Sequence, residues 1–152
     1  MNVLTTRVIV VAAAVGVLAV ASAGTAAATA KRGPSSSPGA AKVAIRHVWT
    51  TFFNGRLPPA ERVRLLQNGE RFAALITAQS SSPVAQQTTA TVASVRLVGR
   101  TRARVVYTIW VASQPMLKNV RGLAVRVGFA WKVSTQTFCE LQALQGQTPP
   151  GC

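Results

Sequence analysis

The chain has 152 residues, 49% of them hydrophobic, with 17 lysines and arginines against three acids and a formal net charge of +14. The acids are Glu61, Glu70 and Glu140, and aspartate is absent, which excludes chemistry run by paired Asp carboxylates or an Asp–His dyad. One histidine and two cysteines are too few for a metal-ligand set, so no metal and no cofactor is expected.

The chain opens with residues 1–7, which carry Arg7 as their only charge. Residues 8–20 (VIVVAAAVGVLAV) form an unbroken apolar run, and residues 22–30 (SAGTAAATA) end in Ala28-Thr29-Ala30. A charged start, an apolar stretch of this length and an Ala-x-Ala exit predict a secretory signal peptide over residues 1–30, cleaved after Ala30 with Ala28 as the next candidate. No cysteine follows the run and Arg7 stands alone, so neither a lipid-anchored nor a twin-arginine signal is expected. The alternative is an uncleaved anchor, because residues 8–30 are uncharged and long enough to span. The domain would then be a membrane-held accessory of a transport complex. Lys31 and Arg32 disfavour it, lying on the side that would face outward. The expected location is therefore extracellular, with retention at the cell wall as a variant. Residues 31–39 (KRGPSSSPG) have the composition of a disordered linker, which leaves 40–152 as a single domain.

Within that domain, Ala41, Ile45, Val48, Trp49 and Phe52 fall at helical spacing over about residues 40–53, with Lys42, Arg46, His47 and Thr50 on the other side. Asn54-Gly55 stops this helix. Pro58-Pro59 opens a second, which buries Val63 and Leu66 and ends near Asn68-Gly69. A third, over 70–79, buries Phe72, Leu75 and Ile76. After Pro83 the period becomes two. Residues 89–98 turn Thr91, Ala93, Val95 and Leu97 inward and Arg96 outward. Residues 99–101 form a turn. Residues 102–113 turn Val105, Tyr107, Ile109 and Val111 inward, and Arg102, Arg104, Thr108 and Trp110 outward. A third strand over 120–128 sets Leu123, Val125 and Val127 against Arg126, and a fourth over 129–135 sets Phe129, Trp131 and Val133 against Lys132. Short connections between such runs predict an antiparallel meander. Thr137 and Glu140 have capping-box spacing and open a last short helix with Leu141 and Leu144. The expected fold is α+β, helices packed on one side of a curved four-stranded antiparallel sheet.

Cys139 and Cys152 form an even pair in an oxidising compartment, which predicts a disulfide. Closing a loop of about fourteen residues is worth roughly 3 kcal/mol in the chain-entropy model. It would pin a tail that is otherwise free. Arg96, Arg102, Arg104, Arg126 and Lys132 share outward parity and are expected on one sheet face, with Trp110 among them. An exported protein meets little nucleic acid, so none is expected as a partner. Anionic wall polymer or a lipid surface fits the face better. A solubilising face produced by compositional bias fits the same pattern. Inside, Ile45, Trp49, Phe72, Tyr107, Ile109, Val125 and Trp131 either fill a solid core or line a cavity for a small hydrophobic ligand. The residues do not indicate an oligomeric state.

The order of elements resembles the nuclear-transport-factor-2-like, or cystatin-like, cone. Residues 49–54 (WTTFFN), 65–69 (LLQNG), 105–109 (VVYTI), 131–134 (WKVS), 137–139 (TFC) and 144–146 (LQG) together resemble the low-molecular-weight secreted antigens of mycobacteria and related actinobacteria. The resemblance covers about residues 40–152. It implies an exported or wall-associated protein, a terminal disulfide at the matching cysteines, and no established catalytic activity. This chain is far more basic than those relatives. It also shows Val127-Gly128-Phe129-Ala130 where an Asp-Gly turn is expected before Trp131.

No enzyme is expected. His47 sits on the polar side of the first helix beside Arg46. Glu61 and Glu70 suit first turns of helices, and Glu140 suits its capping box. Both cysteines are committed to a bond. A hydrolase or isomerase that pairs His47 with a glutamate is the remaining catalytic alternative.

Overall fold

The computed structural model describes residues 37–152. The signal peptide read at 1–30 and most of the linker read at 31–39 lie outside the described residues. The first helix, α1, runs Pro38–Phe52, two residues earlier than expected. The start signal is Ser37-Pro38: the serine hydroxyl accepts from Ala40 N at 3.1 Å, and proline suits a first turn whose N–H groups lack partners anyway. Ala41, Ile45, Val48, Trp49 and Phe52 form its buried stripe, as predicted. After a turn at Asn54–Leu57 come α2 (Pro59–Leu65), a 3-10 turn (Gly69–Phe72), α3 (Ala73–Ser80) and a short α4 (Pro83–Gln86). Gly55 donates to the Thr88 carbonyl at 3.0 Å. A Cβ on Gly55 would overlap the Ala85 carbonyl, so only glycine lets the end of α1 pass this close to the α4–strand junction.

Four antiparallel strands follow in the order β1 (Thr88–Val98), β2 (Arg102–Val111), β3 (Gln114–Val127) and β4 (Ala130–Val133), forming a curled half-barrel. The helix α5 (Thr135–Leu144) closes the fold. The predicted α+β class holds, and each sheet neighbour is also a chain neighbour.

Two registers differ from the expected alternation. In β1 a bulge lies between Val92, which pairs with Tyr107, and Ser94, which pairs with Val106. One extra residue reverses the parity. Thr91 and Ala93 are therefore exposed, and Ala90 is the buried residue of the first half. In β3 the inward residues are Gly122 and Ala124, opposite Val105 and Ala103, while Leu123 and Val125 share the outer face with Arg104 and Arg102. Arg126 pairs with the buried Trp131 and so belongs to the inner parity. The physical reason is crowding. A Cβ on Gly122 would stand 3.0 Å from Trp49 Cζ2, Tyr107 Cε1 and Thr137 Cγ2, so the inner row needs small side chains.

The core is aromatic at its centre. Trp49 meets Tyr107 edge-on with centroids 5.8 Å apart, and Phe53 stacks on Tyr107 at 5.4 Å. Phe138 of α5 contacts Phe72 at 4.9 Å and Phe52 at 6.4 Å. The cap of α5 is Ser134, whose hydroxyl accepts from Thr137 N at 3.0 Å. Thr137 is thus a helical residue, and its hydroxyl accepts from Leu123 N at 2.7 Å to tie α5 to the edge of β3. The expected Thr137–Glu140 capping box does not form. Instead Glu140 Oε1 accepts from Gln136 Nε2 at 2.8 Å, one turn earlier. Cys139 is bonded to Cys152 with Cα atoms 5.4 Å apart, returning the tail to α5.

Candidate functional site

The outer sheet face gathers most of the predicted cations. Arg96 stands directly opposite Arg104, and Val125 has Arg102 on one side and Lys132 on the other. Directly paired residues point to the same side of a sheet, so these four share a face. Arg126 does not join them. Arg121, which pattern reading passed over, takes that role opposite Val106, in the row beside Arg96 and Arg104. Its signal was present in the strand's small residues: once Gly122 and Ala124 are inward, Arg121 must point outward. Trp110 lies on this face as expected, and its Nε1 donates to Thr91 Oγ1 at 3.0 Å. Between the arginines and α5 runs an open groove lined by Ser94, Arg96, Arg104, Arg121, Gln136 and Glu140. Glu140 is the one acid bordering it.

The residues predicted as a pocket lining separate. Ile45, Trp49, Phe72, Tyr107 and Trp131 are buried in the core, and Val125 lies on the outer face. Only Ile109 reaches a cavity. The core nevertheless holds three buried polar atoms without a protein partner among the described residues: Trp49 Nε1, Tyr107 OH and Trp131 Nε1. Burial pushes the Tyr107 phenol well above its ordinary pKa, and the charge of Glu140 adds to the effect.

The cavity that Ile109 lines is a cleft of about 460 Å³, bounded by the helices and the β2–β3 hairpin. Its walls include Phe52, Phe53, Leu117, Phe138 and Leu141. Val84, Met116 and Leu144 also line it, and they are 61%, 64% and 66% exposed. Polar side chains also enter this apolar setting, chief among them Gln142, Gln79 and Arg62. Gln142 is only 3% exposed, and its Oε1 accepts from Gln79 Nε2 at 2.9 Å. Arg62 of α2 is half-buried; its Nε donates to the Phe52 carbonyl at 3.0 Å, and its guanidinium carbon sits 5.4 Å from the Phe52 ring centre. Burial lowers its pKa. The cleft's lining contains no acid.

His47 is exposed on α1 and lines neither cavity. Glu61 lies in the first turn of α2, as expected, whereas Glu70 lies in the 3-10 turn ahead of α3. Among the described residues no helix is long and apolar enough to cross a membrane.

A family model described as low molecular weight antigen MTB12, C-terminal domain, matches residues 37–149, which is well over half of the chain. No curated protein matches it.

Proposed function

The chain belongs to the low molecular weight antigen MTB12 C-terminal-domain family, and on that premise we propose that it is an exported binding protein without catalytic activity. Its outer sheet face docks on a phosphate-bearing surface of the cell envelope. The carrying observation is the placement of Arg96 against Arg104, with Arg121 in the adjoining row. Like charges facing each other across strands are unfavourable, and an anionic partner relieves that repulsion. Arg102 and Lys132 extend the same positive face. The non-catalytic reading is supported by the exposed His47, the glutamates on separate elements and the bonded cysteines.

Co-sedimentation with vesicles tests the docking. Vesicles rich in anionic phospholipid should retain the protein at about 50 mM salt and release it by about 500 mM, because screening shortens the reach of surface charge. Neutral vesicles should not retain it at either salt. A phosphorylated wall polymer in place of the vesicles distinguishes the two envelope sources. Retention that ignores salt, or equal retention on neutral vesicles, would overturn the assignment.

A further inference from the structure

We propose that the cleft beneath α2 is a binding site for a single-chain amphiphile with an anionic head group, the head held by Arg62 and the chain lying along Phe53, Ile109, Leu117 and Leu141. This site shares no residue with the outer basic face and does not depend on it.

Arg62 supplies the first half of the case. A guanidinium drawn partly out of water is costly unless an anion accompanies it. Its Nε edge is used, since it donates to the Phe52 carbonyl at the end of α1. That bond explains why the side chain lies where it does. It leaves the two terminal nitrogens, which among the described residues make no hydrogen bond, as a planar pair suited to a carboxylate or phosphate. The chain offers them no side-chain carboxylate in the cleft. Its acids are Glu61, Glu70 and Glu140, none lines the cleft, and residues 1–36 contain neither aspartate nor glutamate.

The walls supply the second half. The volume of about 460 Å³ lies within the roughly 300–1,000 Å³ range of small-molecule sites. Its lining is aromatic and aliphatic apart from Arg62, the Gln79–Gln142 pair, Ser82, Thr88 and Gln145. Val84, Met116 and Leu144 remain exposed around it, which is apolar surface an alkyl chain would remove from water. A lone cation among such walls selects neither a sugar nor a neutral hydrocarbon. It matches one negative charge at the end of an apolar chain.

The test is calorimetric titration of the purified protein with dodecanoate, dodecyl phosphate, dodecanol and dodecyltrimethylammonium, the charged amphiphiles below their micelle-forming concentrations and the alcohol below its solubility limit. Both anions should bind one to a molecule, about tenfold or more tighter than dodecanol, a margin of roughly 1.4 kcal/mol. The cationic amphiphile should not bind. Whichever anion binds tighter identifies the head group as carboxylate or phosphate. Arg62→Met should abolish the preference for anion over alcohol, and Arg62→Lys should restore part of it. Met116→Glu, at an exposed position, should weaken both anions without touching the core. This variant and the head-group series decide the matter if Arg62→Met fails to fold. Equal affinity for dodecanol and dodecanoate, or no binding by either anion, overturns the proposal. So does anion binding that survives Arg62→Met and is lost in Arg96→Glu with Arg104→Glu, since that would be adsorption to the basic face.

Discussion

Gly122 lies so close to the indole of Trp49 that a Cβ on it would stand 3.0 Å from Cζ2. The same atom would be equally near Tyr107 Cε1 and Thr137 Cγ2, so no single side chain can move aside to make room. All three neighbours are fully buried. Gly122→Ala should therefore destabilise by about 1–3 kcal/mol and Gly122→Val by more, as overpacked cores do. Urea midpoints of the two variants measure this. A loss under about 0.5 kcal/mol for alanine would mean that β3 does not run this close to α1.

That contact also explains which parts of the fold were legible. Helix α1 was readable because Ile45, Val48, Trp49 and Phe52 repeat at the helical period on one face, with Val43 the one large apolar residue left outside it. In β2, Val105, Tyr107 and Ile109 are buried while Arg104, Val106, Thr108 and Trp110 face outward, and the flanking Arg104 and Thr108 make the inward parity readable. In β3 parity and size disagree. The larger residues Leu123 and Val125 lie outside among arginine stems, while Gly122 and Ala124 take the crowded inner row. A pattern that equates large and apolar with buried assigns that strand backwards, and with it Arg121 and Arg126. The β1 bulge at Ala93 is a second silent feature, since nothing in Thr-Val-Ala-Ser marks an extra residue. The cleft was illegible for another reason: Arg62, Gln142 and Leu117 come from three elements, and only packing brings them together.

Tyr107 is the chain's only tyrosine, which makes its titration readable by absorbance alone. Burial and the Glu140 charge raise its pKa in the folded protein above the ordinary phenol value of 10.0. The unfolded chain therefore ionises first. The phenol's contribution to stability is full below about pH 10 and falls as pH rises beyond that value. Tyrosinate absorbance should be missing at the ordinary midpoint and should appear together with unfolding. Tyr107→Phe removes a hydroxyl that has no protein partner among the described residues. It should match or exceed the wild type in stability at neutral pH and lose less at alkaline pH. A loss of more than about 1 kcal/mol at pH 7 would mean that the hydroxyl has a partner.

The Cys139–Cys152 bond anchors the tail beyond α5. That tail is otherwise held by hydrogen bonds such as Gln147 N donating to the Gln142 carbonyl at 2.9 Å and Gln79 Nε2 donating to Gln147 Oε1 at 3.3 Å. Replacing both cysteines with alanine should cost about 3 kcal/mol and make residues 145–152 the first site of proteolysis. Thiol labelling of the denatured, unreduced wild type should find no free thiol. An unchanged urea midpoint in the double variant would show that the tail contributes nothing to the fold.

Arg121 and Arg126 provide the sharpest contrast, since they lie five positions apart on one strand and, by register, on opposite faces. Each single change to glutamate alters net charge by the same amount, so long-range attraction to an anionic surface weakens equally in both. What differs is position. Arg121 lies in the row next to the Arg96–Arg104 pair, whereas Arg126 faces the Trp131 side of the β3–β4 hairpin. Arg121→Glu should lower the salt concentration at which anionic vesicles release the protein about as much as Arg104→Glu does, and Arg126→Glu should shift it less. Equal shifts from Arg121→Glu and Arg126→Glu would mean that the surface responds to total charge and not to this face. A larger shift from Arg126→Glu would move the contact to the hairpin end of the sheet.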